Sequence, residues 1–303
     1  MNHPTVPRVG VIGLGAMGEP MALRLLEGHG QVHAAGRSPR PALVEAGATW
    51  HADYPSLAAA CDAVLLMLPD VPEAEAVLFG GPDGAVPGLL ARVTERSTDL
   101  LILIGSTSSA VAVRALAERV EAASGGRARL VDAPVSGGVD GAVAGTLSIM
   151  MGGSEADCAA AARALAPCGS PVRLGPVGAG EVAKACNRLV VSATILALGE
   201  ATVLAERSGL DVQAMWDLLD GGYAGSRLLT TRKQRLVEHD DSPSGAAKYL
   251  LKDLRCGLEV AEATGTNAEA FPALEATFAR IVAAGLGDND MSVTRRYIAG
   301  EGD

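Results

Sequence analysis

Residues 13–18, Gly13-Leu14-Gly15-Ala16-Met17-Gly18, narrow the possible folds more than any other segment of this chain. They form a G-x-G-x-x-G, and their placement gives the motif its weight, because 37 glycines in 303 residues make a chance match easy. The motif follows an apolar run, Val9–Ile12, that reads as a strand. It opens a helical stretch from Ala16 to about Glu27, the order that the motif's physics requires. Gly13 permits the tight turn, Gly15 lets the backbone approach a pyrophosphate, and Gly18 lets helix and strand pack closely. The helix N-terminus then offers free N–H groups and the positive end of its dipole to phosphates. Gly13, Leu14, Gly15, Ala16, Met17 and Gly18 are therefore expected to bind a dinucleotide.

The rest of the first half fits that frame. Apolar runs at Val32–Ala35, Ala63–Leu68, Leu100–Ile104 and Leu130–Asp132 read as further strands. Helical stretches around Ser56–Ala60 and from about Ser109 to Ala123 separate them. Continuous apolar strands alternating with helices predict a parallel sheet covered on both faces. Leu147–Met151 and Val172–Leu174 are expected as edge strands. The character changes near Gly175. Gly178–Glu206 reads as one long helix, apolar nearly all round and so expected to be buried on most faces. Only helical segments follow, at about Val212–Leu219, Ala247–Ala263 and Pro272–Ala284, with Gly221, Gly222 and Gly225 marking a loop. The expected organisation is an α/β Rossmann-type domain over 1–176, then an all-α domain over 177–303 entered through the long helix.

The end of the second strand selects the dinucleotide. An acidic residue there would hold the ribose 2′-OH of NAD. This chain has Ala35-Gly36-Arg37-Ser38-Pro39-Arg40 instead. Gly36 leaves room for a 2′-phosphate, Arg37 and Arg40 supply charge in a geometry suited to phosphate, and Ser38 adds a hydroxyl. NADP is expected in preference to NAD. Leu68-Pro69 and Ser106-Thr107 end two further strands, where ligands bind open α/β sheets. Ser108 or Ser109 has the chemistry of a helix N-cap.

Two later segments carry reactive groups. Asp132-Ala133-Pro134-Val135-Ser136-Gly137-Gly138 follows a strand, with a stiff Pro134, a hydroxyl on Ser136 and exposed glycine N–H groups. Such a loop can hold a carboxylate without side-chain charge. On the long helix, Lys184, Asn187 and Arg188 are spaced by three and four, on one face of an otherwise apolar helix.

With these four blocks in hand (residues 11–18, 132–138, 178–187 and Lys252-Asp253), the chain resembles the β-hydroxyacid dehydrogenase family, which contains 3-hydroxyisobutyrate dehydrogenase and tartronate semialdehyde reductase. The segment 146–153 also resembles the family's stretch after the substrate loop, and the resemblance covers nearly the whole chain. It implies that Ser136, Gly137 and Gly138 bind a small carboxylate substrate. Lys184 would be the general acid/base, with a nearby Asn, Asn187, orienting the substrate. Thr107 would sit near nicotinamide or substrate, and Lys252 would contact the cofactor. It also implies a homodimer or homotetramer through the helical domain. An unperturbed lysine titrates near ~10.4, so a basic role near neutral pH calls for burial or a neighbouring cation. One departure stands out. The family commonly has Asn or Gln four residues after the lysine, whereas Arg188 stands there in this chain. Asn187 does the orienting, or Arg188 brings charge for a further anionic group of the substrate, or Arg188 turns away to another chain; the sequence leaves all three open.

The remaining features restrict the function class. A net charge of −10 argues against nucleic-acid or anionic-membrane partners. Five cysteines, an odd number without C-x-x-C spacing, suggest free thiols in a reducing cytoplasm, and the five His residues form no metal-ligand pattern. Met1–Arg8 has two prolines and no basic n-region, so no signal peptide is expected. Leu189–Leu198 is too short to span a bilayer. Competing readings are a decarboxylating 6-phosphogluconate dehydrogenase, whose lysine is accompanied by a His, and an imine reductase-like enzyme, which usually has Asp or Tyr in place of the lysine. A non-catalytic NADP-binding protein is a third. Asn187 at the spacing of that His, and the greater length of those chains, argue against the first; Lys184 argues against the second, and Lys184 together with Ser136-Gly137-Gly138 against the third.

Overall fold

Val9–Ile12 forms strand β1, and all four of its residues are buried. The alternation of side chains along a strand explains why such runs contain no polar residue. Val9 and Val11 join one apolar core, while Ile12 joins a second core on the other face of the sheet. β4 (Ala63–Leu66) and β5 (Leu100–Ile104) divide in the same way, with Leu65, Leu101 and Leu103 in the first core and Val64, Leu66, Ile102 and Ile104 in the second. The computed structural model describes residues 6–81, 86–243 and 245–301. Met1–Thr5, part of the segment read above for a signal peptide, lie outside them.

β2 (His33–Ala35), β3 (Thr49–Trp50) and β6 (Ala128–Asp132) complete a parallel array in the order β3-β2-β1-β4-β5-β6. Chain order reverses at β1, between β2 and β4, which opens a crevice at the strand C-termini. Beyond β6 the sheet is mixed. β7 (Val135–Ser136) and β6 both pair antiparallel with β8 (Leu147–Gly152), and β9 (Gly169–Gly175) pairs parallel with β8. The helices of this part are α1 (Gly18–His29), α2 (Pro41–Glu45), α3 (Tyr54–Ala60), α4 (Val71–Phe79), α5 (Ala110–Ser124), α6 (Gly138–Ala144) and α7 (Glu155–Leu165). The strand expected over Ala63–Leu68 ends at Leu66, and Met67 and Leu68 follow it, packed against the first and second cores. The two-residue β3 was not foreseen, since it is too short for alternation to register.

The long helix α8 (Ala179–Arg207) begins against the end of β6. Asp132, fully buried, accepts the Gly178 N–H at 2.7 Å through Oδ1 and the Glu181 N–H at 2.9 Å through Oδ2. Burial pushes its carboxyl above the usual range, and these N–H donors pull the other way. Two compact units meet inside α8, between Lys184 and Ala185.

The second unit holds the rest of α8 with α9 (Val212–Asp220), α10 (Arg227–Glu238), α11 (Ala247–Thr264), α12 (Ala270–Ile281) and α13 (Thr294–Ala299). Ile195 and Leu198 of α8 share its core with Trp216, Leu229, Leu250, Leu254 and Phe278. Two expectations about α8 need correction. It is not buried on most faces: Cys186 and Ala193 are exposed, as are Val190 at 64 % and Leu204 at 67 %. Burial follows one side of the helix, and composition hid this because the outer side is apolar too. In addition, α8 is long and apolar enough to cross a membrane by length and composition, with 39 % of its most apolar window buried inside the protein. The run counted from Leu189 to Leu198 understated it, since Glu200 is the one charge before Glu206.

Asp132→Asn tests the sheet-to-helix junction. The amide keeps one acceptor and turns an NH2 toward a helix N–H. The expected cost is roughly 1–3 kcal/mol, read as a lower melting temperature; an unchanged melt would remove the junction from any account of stability.

Candidate active site

The crevice at the strand C-termini collects most of the residues singled out in the first half. At the turn between β1 and α1, Gly13 has φ +95, and a Cβ there would lie 2.2 Å from the Met67 carbonyl oxygen. A Cβ on Gly18 would lie 2.0 Å from the Gly13 oxygen, whereas at Gly15 nothing stands within 4 Å. The turn is therefore closed on its inner side and open over Gly15, a backbone cradle that fits a diphosphate. Ala16 is exposed. The Leu14 side chain is buried in the first core, so this residue offers a ligand its backbone. Met17 likewise packs against that core.

Arg37, Ser38 and Arg40 are all exposed just beyond β2. Arg40 Nε lies 3.9 Å from Glu19 Oε2, so a carboxylate already faces this cation. The space expected at Gly36 is bounded by Trp50, whose ring would be 3.6 Å from a Cβ there. Leu68 is half-buried and Pro69 exposed after β4; Thr107 is half-buried after β5. Of the two cap candidates, Ser109 caps α5 by accepting the Ala112 N–H. Ser108 is buried, and its N–H donates to Glu181 Oε2 at 3.0 Å.

The turn after β6 has an unusual backbone. Ser136 pairs with Ser148 in the antiparallel ladder, and Gly137 and Gly138 then take φ values of 136 and 66. Successive N–H groups in such a turn can converge on an anion. Both glycines are exposed and Ser136 is half-buried. Lys184 is 1 % exposed, and its Nζ donates to the Val135 carbonyl oxygen at 2.5 Å. The buried ammonium thus sits on the residue immediately before Ser136-Gly137-Gly138.

Sequence reasoning passed over Glu181. It is 2 % exposed and joins the first turn of α8 to the segment after β5 through Ser108. The available signal was a carboxylate three residues before a lysine on an apolar helix.

In the second unit, Asn187 is partly buried, and its Oδ1 is buried without a hydrogen-bond partner among the described residues. Arg188 Nε donates to Asp253 Oδ2 at 2.5 Å, and Asp253 is itself buried. Lys252 Nζ lies 4.0 Å from the other oxygen of Asp253. One buried carboxylate therefore faces two cations.

Comparison with known proteins identifies the family. A family model described as the NAD binding domain of 6-phosphogluconate dehydrogenase matches residues 8–178. A second, described as NAD-binding of NADP-dependent 3-hydroxyisobutyrate dehydrogenase, matches residues 178–298. The chain is 33 % identical to the 2-hydroxy-3-oxopropionate reductase of Escherichia coli (strain K12) over 262 residues, 86 % of each chain. It is 33 % identical to a probable 3-hydroxyisobutyrate dehydrogenase of Mycobacterium tuberculosis, over 86 % of this chain and 87 % of the relative. Among solved structures, 3-hydroxyisobutyrate dehydrogenase from Salmonella typhimurium superposes with a TM-score of 0.81 at 26 % identity, covering 96 % of this chain and 99 % of that one. With a glycine cradle at the sheet's reversal point and both halves of the sequence matched, the chain belongs to the β-hydroxyacid dehydrogenase family of nicotinamide-dependent oxidoreductases.

Proposed function

We propose that the protein is an NADP-dependent dehydrogenase interconverting a small β-hydroxy acid and its semialdehyde, with Lys184 as the general acid/base. The observation that carries the reading is the buried Lys184 ammonium against Val135, next to the Ser136-Gly137-Gly138 turn. A buried amine beside an anion-binding turn can hold a proton where a substrate oxygen lies, once the substrate carboxylate occupies the turn. The relatives named as reductase and dehydrogenase of small hydroxy acids support the substrate class.

The residues divide the work as follows. The backbone of Gly13 to Gly18 would hold the diphosphate, Arg37, Ser38 and Arg40 the 2′-phosphate, and Leu68, Pro69, Thr107 and Lys252 the nicotinamide half. The cofactor, when bound, gives or takes the hydride. Ser136, Gly137 and Gly138 hold the substrate carboxylate, and Asn187, with a buried oxygen still to be satisfied, orients the reacting hydroxyl. Lys184 gives its proton to the carbonyl oxygen in reduction and takes it back in oxidation. Arg188, aimed by Asp253 through Nε, keeps its two Nη groups for an outer polar or anionic group of the substrate.

Lys184→Ala is expected to lower kcat by about 10²–10⁴-fold while NADPH affinity stays within a few-fold. The assay is a panel of C3 and C4 semialdehydes and hydroxy acids with one or two carboxylates. Loss of NADPH binding in the variant would sink the assigned role.

Cofactor choice has its own test. Arg37→Ala should raise the KM for NADP by roughly tenfold, the loss of one charge-assisted contact, and leave that for NAD unchanged. Equal effects on both cofactors would contradict the 2′-phosphate assignment. The NADP-dependent dehydrogenase named in the matching family model supports this preference.

We infer further that a second copy of the chain covers the outer face of α8, where Val190 and Leu204 are exposed. Light scattering should give a multiple of 30.7 kDa for the wild type and a shift toward one chain for Val190→Glu/Leu204→Glu. An unchanged mass in the variant would move the interface elsewhere.

A further inference from the structure

We propose that Glu181 is a positioning residue that keeps Lys184 in its ammonium form and ties it to the segment after β5, so that near neutral pH the site is poised to reduce a carbonyl. The proposal rests on the assignment of Lys184 as the acid/base. It goes beyond that assignment by naming the group that sets the lysine's charge and the direction this favours.

Three observations converge. First, Glu181 and Lys184 are 2 % and 1 % exposed and three residues apart on α8. That spacing puts their Cβ atoms about 5–6 Å apart on one face. Second, the carboxylate of Glu181 is held in place. Its backbone N–H donates to Asp132 Oδ2 at 2.9 Å, and its Oε2 accepts the Ser108 N–H at 3.0 Å. Third, the Lys184 Nζ donates to the Val135 carbonyl oxygen at 2.5 Å. A carboxylate this deep is costly to bury without an opposing charge, and so is an ammonium. Each offsets the cost of the other.

The charges around Lys184 can be taken element by element. β6 brings Asp132, whose oxygens already accept the N–H groups of Gly178 and Glu181. β7 brings a carbonyl oxygen and the Ser136 hydroxyl, with no ionisable side chain. The Ser106–Ser108 segment is uncharged. α8 brings Glu181 one turn before and Arg188 one turn after, the latter bound to Asp253. Burial alone favours the neutral amine, and a neighbouring carboxylate favours the charged one. Glu181, three residues before Lys184 on the same buried face, tips that balance toward the charged form.

The chemical consequence has a direction. In reduction, the Nζ–H bond breaks and its proton forms the substrate O–H, while the carbonyl carbon gains hydride and both its electrons from the reduced nicotinamide. The carbonyl is reduced by two electrons and the nicotinamide oxidised by two. Lys184 begins that step as the ammonium that Glu181 maintains. Oxidation needs the neutral amine, so it gains only as pH rises.

The second role is mechanical. Through Ser108, Glu181 joins the segment that carries Thr107 to the helix that carries Lys184. A shift of either would separate the lysine from the strand ends where the reaction takes place.

Two variants of the full-length protein separate these roles. Glu181→Gln removes the charge and keeps an acceptor for the Ser108 N–H; Glu181→Leu removes both. The chain has four lysines (Lys184, Lys233, Lys248 and Lys252), so the titration of Lys184 can be followed by NMR of isotopically labelled lysine, without any substrate. In Glu181→Gln its midpoint should fall by about one to two pH units. The pH limbs of reduction and oxidation should move down by the same amount, with the KM for NADPH within twofold of wild type. Deuterium exchange at the Ser108 amide should stay slow in Glu181→Gln and rise at least tenfold in Glu181→Leu. An unmoved Lys184 midpoint in the Gln variant overturns the charge role, and unmoved exchange in the Leu variant overturns the mechanical one. Both readouts are independent of turnover, so they stand apart from failure of the dehydrogenase reading, which Lys184→Ala tests by kcat.

Discussion

The carboxylate of Asp132 joins the sheet to the helix that carries Lys184. A helix N-terminus leaves several N–H groups without partners, and one that starts inside the protein has no water to satisfy them. Asp132 meets the need from the last position of β6, where it is in register with Ile104 of β5 and Gly152 of β8. The carboxylate is desolvated, which is unfavourable, but it faces the positive end of α8's dipole and backbone donors. Room for it comes from two glycines: a Cβ on Gly152 would lie 2.4 Å from Oδ1, and one on Gly180 would lie 2.8 Å from Oδ2. The start of α8 is therefore fixed to the sheet, and Lys184, six residues beyond Gly178, inherits that position. Val135 sits three residues past Asp132, so the lysine's acceptor and its helix are set by the same short segment.

The sequence made this architecture legible where one physical signal dominates. Apolar runs such as Val9–Ile12 and Leu100–Ile104 could be read because a strand buried on both faces tolerates no polar residue. The glycine turn was legible for steric reasons that hold in any chain. α10 was missed because it buries little. Leu229 and Leu236, seven residues apart, are buried in the core with Leu228 and Val237 packed beside them, and the rest of the helix is polar. It starts at the Ser226 cap, and Lys233 ties it by ion pairs to Asp217 and Asp220 of the preceding helix. The exposed side of α8 was hidden for the opposite reason, since both of its sides are apolar and periodicity had nothing to contrast.

The candidate site divides along the same line. The glycines and the lysine on an apolar helix stand out in the sequence by local chemistry alone. Pairings with a distant partner do not, even where one member, Arg188, is singled out. Glu181 matters through Ser108, 73 residues away, and Arg188 through Asp253, 65 residues away. Within the fingerprint the side chain of Leu14 belongs to the core, which a glycine motif alone does not reveal.

The two cations on α8 show why these distant partners are needed. Lys184 and Arg188 stand one turn apart, and like charges at that spacing repel. Lys184 is buried and Arg188 half-buried, so each calls for a compensating acid. Glu181, 2 % exposed, stands with Lys184, and Asp253, also 2 % exposed, with Arg188. The two pairs have different consequences, because the two bases differ. A guanidinium does not lose its proton in proteins, so Asp253 can only aim Arg188 and screen it. A lysine ammonium can lose its proton, so a carboxylate near one bears on how readily it does. The two acids thus differ in what they can do, although each stands near a cation of the same helix.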